Sequence, residues 1–252
     1  MRCKKDVLTR RKEYMEFTVE NYDFKKAMQQ LINEKLKGIL LNKGFVQYKK
    51  NFYARERKDV VQIIYFALTK DELYVWAYFL PIFVPLDAIC IYGGDFFGCY
   101  EREKIDKEKQ LESYNKIQKF NFCKMADKLI GDILPEMERI NSLAKLIENV
   151  MNDGGTIFGK KYGSNRTVCD LDFYMLNVYK CINDNFQNGK EQLLNYKCKL
   201  KESGEWELPF EKNIYSIIEY LFPDVDMDDG RKVFLERYNI VCSEMRKKYK
   251  LV

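Results

Sequence analysis

The stretch "NKGFVQYKKNFYARERKDVVQIIYF", Asn42 to Phe66, decides the fold. Its first part stops a helix. Its middle alternates aromatic and basic residues. Its end is an apolar run holding one glutamine. Upstream, Phe24, Ala27, Met28, Leu31, Ile32, Leu36, Ile39 and Leu40 recur at helical spacing. That is one apolar stripe behind a capping aspartate, Asp23. Gly44 stands where a helix C-terminus wants a residue tolerant of positive φ.

Downstream the period changes. The runs "FVQY", "NFYARER", "DVVQIIYFAL", "ELYVWAYFL" and "AICIY" are short and rich in β-branched and aromatic residues. Turn-like pairs separate them: Lys50-Asn51, Lys58-Asp59 and Lys70-Asp71. This predicts an antiparallel meander of four or five strands. Both faces of Val60–Tyr65 are largely apolar, so that strand is expected at the centre, with one face on the first helix. Pro81 and Pro85 predict that the fourth run ends in an edge or an irregular crossing.

Beyond residue 100 the pattern turns helical. Met125, Leu129, Ile130, Ile133 and Leu134 share a stripe before Pro135, and Ser142 is placed to cap a further helix. A glycine-rich stretch follows, "NDGGTIFGKKYGSNRT". Leu171, Tyr174, Met175, Val178, Tyr179, Ile182 and Phe186 then predict a helix that Gly189 stops. Residues 190–203 are expected to fold back on it. Two more helices are expected, around Ile214–Leu221 and from about Asp229. The expected class is therefore α+β, with an N-terminal helix packed on a four- or five-stranded antiparallel meander. A mainly helical C-terminal region follows. The divisions are a basic arm at 1–23, an α+β domain at 24–150, a linker at 151–169 and a helical region at 170–252.

Composition narrows the chemistry. The chain of 252 residues is 46% hydrophobic and 15% aromatic, enough for a packed core. It has no histidine, which removes the commonest general base and the commonest zinc ligand. Its eight cysteines are never closer than nine residues, so no Cys-x-x-Cys pair exists. Met1 is followed by "RCKKD" and no apolar core, so no export signal is expected. The thiols are expected to be reduced, without disulfides, in a cytoplasmic protein. The longest apolar run, Leu73 to Leu86, holds two prolines and is too short to span a bilayer. No membrane partner and no cofactor are expected. Charge is uneven: residues 1–60 hold 16 lysines and arginines against 8 acids, and the remainder 27 against 30.

Several motifs imitate known sites. Gly154, Gly159 and Lys160 match the spacing of a phosphate loop, but Lys161 stands where a hydroxyl should hold magnesium. Asp224, Asp226 and Asp228 start like a calcium loop, but Gly230 and Glu236 each fall one residue late. Asp170 and Asp172 open a helix, where capping is their simplest role. Asp87 and Asp95 flank the last expected strand and carry no specific signal. No metal site is expected.

The opening stretch also resembles a known family. A helix ending "LLNKGF", then "KKNFYAR", then "DVVQIIYF" is similar to the bacterial family called domain of unknown function 4304. "ILPEMERINSLAKLIENV" resembles the proline-containing helical segment after the sheet in that family. The similarity spans about residues 27–150. Gly44, Phe45, Phe52, Tyr53, Arg55 and Gln62 fit its pattern. Lys50 replaces a usual glycine, and "YFA" (Tyr65 to Ala67) replaces a usual "NFQ". The resemblance implies the same helix-then-sheet fold and brings no established activity.

The leading expectation is a non-catalytic binding module that recognises another protein. The first alternative is nucleic-acid binding, because rings beside cations on a sheet stack bases. Its candidate surface is Lys49, Lys50, Tyr53, Arg55, Arg57 and Gln62. The second alternative is a histidine-free enzyme using carboxylates, lysine or tyrosine.

Overall fold

The computed structural model describes residues 24–69, 72–84, 92–100, 122–152, 155–158, 160–161, 170–183, 185–205, 209–223 and 230–252. Asp23, the pair Lys70-Asp71, most of "AICIY" and the aspartates at 224–229 lie outside them.

The first helix, α1, runs over 24–42. Phe24, Met28, Ile32, Leu36 and Leu40 are all buried. They are spaced by four, and in an α-helix each such step drifts about 40° around the axis. A π-turn at Ile32–Leu36 corrects the drift, with the Lys37 N–H donating to the Ile32 carbonyl. Gly44 follows at φ 81°, the left-handed stop its position predicts.

Five strands follow in sequence order: β1 (Val46–Lys49), β2 (Phe52–Arg57), β3 (Val60–Leu68), β4 (Glu72–Pro81) and β5 (Tyr92–Tyr100). All neighbours pair antiparallel. Lys58 and Asp59 both adopt positive φ and close a two-residue hairpin between Arg57 and Val60. β3 is the central strand, and Val60 to Ile64 are buried throughout. β4 is not an edge, since it pairs on both sides and ends at Pro81. β5 carries "YGGDFFGCY", a segment the apolar pattern did not mark. Glycine lowers its strand propensity, yet a Cβ at Gly93 would sit 2.1 Å from the Ala77 carbonyl oxygen.

The second helix, α2, runs over 122–139 and contains another π-turn, Leu129–Ile133. Pro135 sits just after it, near the start of the α-helical turn Leu134–Arg139. Ser142 caps α3 (Leu143–Met151), accepting from the Lys145 N–H at 3.2 Å. Part of the expected linker is a two-stranded hairpin, β6 (Thr156–Ile157) with β7 (Lys160–Lys161). It is tied down: Arg139 donates to the Thr156 carbonyl, and Phe158 stacks on Phe79 at 5.2 Å. A strand pair therefore occupies the place where a phosphate loop would need a helix to begin.

Among the described residues four helices follow: α4 (Asp170–Ile182), α5 (Phe186–Ser203), α6 (Pro209–Leu221) and α7 (Gly230–Lys248). Gly189 does not stop α4. It lies inside α5, where an added Cβ would come within 2.6 Å of the Asn177 carbonyl oxygen and of Cys181 Sγ. Glycine lets α4 and α5 approach as a tight hairpin. Helices lie on both faces of the sheet. α1 and α2 cover the face holding Gln62. The end of α7 crosses the other, where Tyr249 meets the Tyr48 ring edge-on at 5.0 Å. One buried apolar cluster runs from Phe24 to Tyr249 and includes residues of both halves. Among the described residues no helix is long and apolar enough to cross a membrane.

Candidate functional site

Strand alternation sets which candidates meet. Tyr53, Arg55 and Arg57 share one face of β2, and Arg55 lies directly opposite Gln62 of β3. That face looks inward. Tyr53 and Gln62 are fully buried, and Arg55 is 1% exposed. Tyr53 packs edge-on against Phe66 at 5.9 Å, and burial raises its pKa above the usual tyrosine value. Tyr53 and its basic neighbours do not share an exposed face.

Arg55 instead anchors an internal node. Its Nε donates to Gln62 Oε1 at 2.6 Å. Its Nη1 donates to the Lys43 carbonyl and to Glu138 Oε1, each at 2.7 Å. Its guanidinium lies 4.4 Å from the Phe45 ring centroid. Gln62 Nε2 donates to the carbonyls of Met137 and Ile140 at the end of α2. Two residues thus hold the C-termini of two helices against the sheet. Burial lowers the Arg55 pKa, and Glu138 works against that shift. For Glu138, burial pushes upward, but Arg55, Arg57 and Lys43 outweigh it and hold the carboxyl below its usual range.

The exposed candidates do not gather. Lys49 and Lys50 sit at the β1–β2 turn, and Lys58 follows Arg57 at the β2–β3 turn. β2 separates these turns by six residues, about 20 Å of strand. Arg57, half-buried, closes the inward row near Gly44.

Several other reactive groups are also committed to structure, while the thiols of Cys123 and Cys198 are exposed. Asp172 is buried and accepts from the Tyr92 hydroxyl at 2.5 Å, which ties α4 to β5. Cys123, Cys181, Cys198 and Cys242 are free thiols. Burial pushes Cys181 up to about 12 and Cys242 up to about 11, so both remain protonated at neutral pH. Glu56 receives Arg246 through two bonds, at 2.8 and 2.6 Å, joining β2 to α7. Among the described residues no cluster of three or more cysteines and acids is arranged to hold a metal.

An outward-facing feature lies elsewhere. Between α6 and α7 is a groove of about 250 Å³, lined by Ile217, Tyr220, Val241, Glu244 and Met245. Tyr220 is 38% exposed, and Ile240, next to Val241 in α7, is 49% exposed. Arg237 lies 5.1 Å from the Tyr220 ring centroid and donates to its backbone carbonyl, which holds the ring in place. Ile240 and Glu244 stand one turn apart on the same face of α7. The apolar period of α6 includes Ile217, and no pattern in the sequence marks Tyr220, Val241, Glu244 or Met245 as a lining. A groove between two helices depends on their crossing, which periodicity does not encode. No family model, no curated protein and no solved structure matches the chain.

Proposed function

We propose that this chain is a binding module that recognises another protein, and that it does so through the groove between α6 and α7. One observation carries the reading: Tyr220 and Ile240 stand exposed beside an apolar groove whose aromatic wall is held by Arg237. Exposed aromatic and aliphatic anchors beside a pocket are what partner proteins bury first. Among the sheet residues, Tyr53, Arg55 and Gln62 are buried and offer no such surface. A reducing compartment such as the cytoplasm fits the four free thiols. The helix, the Gly44 stop and the following hairpin support placing residues 27–150 near the domain of unknown function 4304 family.

The test is capture from a lysate of the source organism, with wild type beside Ile240→Glu and Lys49→Glu. A partner retained by wild type and by Lys49→Glu, and lost with Ile240→Glu, is the expected result. Equal capture by all three would remove the groove from consideration.

A further inference from the structure

The groove is not uniformly apolar. Ile217, Val241 and Met245 form its walls, and the Glu244 carboxylate stands in its lining. Glu244 is exposed and makes no hydrogen bond or ion pair with the described residues. Lys247 is exposed one turn further along α7, and three other nearby cations have contacts of their own. Arg246 is bound to Glu56, Arg237 covers Tyr220, and Lys248 lies 5.7 Å from the Tyr249 ring centroid. The neighbouring acid of α6, Glu219, already has Lys197 at 3.1 Å.

We infer that this groove accepts a lysine or arginine side chain from a partner segment, flanked by apolar residues. The inference rests on reading the chain as a protein-binding module and names the chemistry of the partner. A long basic side chain has an aliphatic stem and a charged head. The stem fits against Ile217, Val241 and Met245, and the head reaches Glu244. A purely apolar anchor would strip water from the Glu244 carboxylate without replacing it, at a cost in free energy. An acidic anchor would meet like charge. Exposed Ile240, one turn away, contacts the apolar residues beside the basic one.

A displayed library of random short peptides, selected on the full chain, tests this. Enriched peptides are expected to carry a lysine or arginine among apolar residues. Glu244→Lys should weaken them about tenfold, the effect of reversing one contact charge. Glu236→Lys, an exposed site on the same helix, should not. Replacing the peptide's basic residue by glutamate should restore binding to Glu244→Lys. Separate peptides with lysine or arginine at that position distinguish the two heads. Circular dichroism melting of Glu244→Lys, unchanged from wild type, shows that the fold is intact. Apolar peptides sensitive to Ile240→Glu but indifferent to Glu244→Lys would overturn the basic occupant and leave the groove standing. Selection with no groove dependence would overturn both. A concentration-dependent dimer in sedimentation, abolished by Ile240→Glu, would make a second copy the occupant and overturn the inference.

Discussion

The sheet half and the helical half of this molecule solve burial in different ways. In the sheet half, polar side chains are taken inside and bonded. The buried pair Arg55 and Gln62 ties three carbonyls and the exposed carboxylate of Glu138 together. In the helical half, close packing does most of the work. Phe186, Phe222 and Phe234 pack ring to ring, with Phe222 and Phe234 stacked at 5.1 Å. Gly189 lets two helix backbones approach. The first solution fixes position and keeps Tyr53, Arg55 and Gln62 inside. The second leaves a groove between the helices that close it. A surface available for binding therefore arises where packing, rather than hydrogen bonding, sets the geometry.

The largest expected effect lies in the polar node. Arg55→Ala strips Gln62 Oε1 of its donor, frees the Lys43 carbonyl and opens a cavity. The expected loss is about 3 kcal/mol, read by urea denaturation. A loss below about 1 kcal/mol would mean that the node is dispensable and that the sheet half also depends on packing alone. The matching change in the helical half is Gly189→Ala. Its added methyl meets the backbone of α4, which has little room to give, and the expected cost is about 2 kcal/mol. Wild-type stability in this variant would show that α4 and α5 are less tightly apposed.

The joint between the halves comes next. Arg246 and Glu56 are each about a fifth to a third exposed. Water and salt therefore screen the pair, and a double-mutant cycle with Arg246→Met and Glu56→Gln should give about 1 kcal/mol. The coupling should shrink as salt is added. A coupling indifferent to salt would indicate contact through packing instead.

The smallest effect is one of pH. Burial, then the nearby Glu56, raises the Asp59 carboxyl pKa, while Arg246 partly offsets them. A carboxyl whose folded pKa is raised favours the folded state only while protonated. Its contribution is lost as pH rises through the folded value, so at neutral pH the ionised group is a burden. Asp59→Asn keeps a residue tolerant of positive φ. It should raise the melting temperature slightly at neutral pH, and the gain should vanish at about pH 3. Glu136 has the opposite sign. Its hydrogen bonds from Arg139 lower its pKa despite burial, so its stabilisation is present above the ordinary glutamate value and fades as pH falls through the folded value. Glu136→Gln should flatten the acid limb of the stability profile.

Much of the scaffold is legible in the sequence. The stripe from Phe24 to Leu40, the Gly44 stop, the Lys58-Asp59 turn, central β3, the Ser142 cap and the two last helices follow from local patterns. Such patterns work because helix and strand periods depend on neighbours a few residues away. The candidate site was far less legible. An aromatic and basic alternation reads the same whether its basic row faces water or, as here, a pair of helices.

By itself, the sequence determined where the chain coils, extends and turns, because those choices are made within a few residues. Tertiary structure alone decided that Arg55 is internal, through Glu138, 83 positions away. It also decided that Glu56 meets Arg246, 190 positions away, that Gly189 is a point of contact, and that α6 and α7 leave a groove. The physical reason is common to all four. Whether a polar group is buried, or an apolar one exposed, depends on what distant segments bring against it.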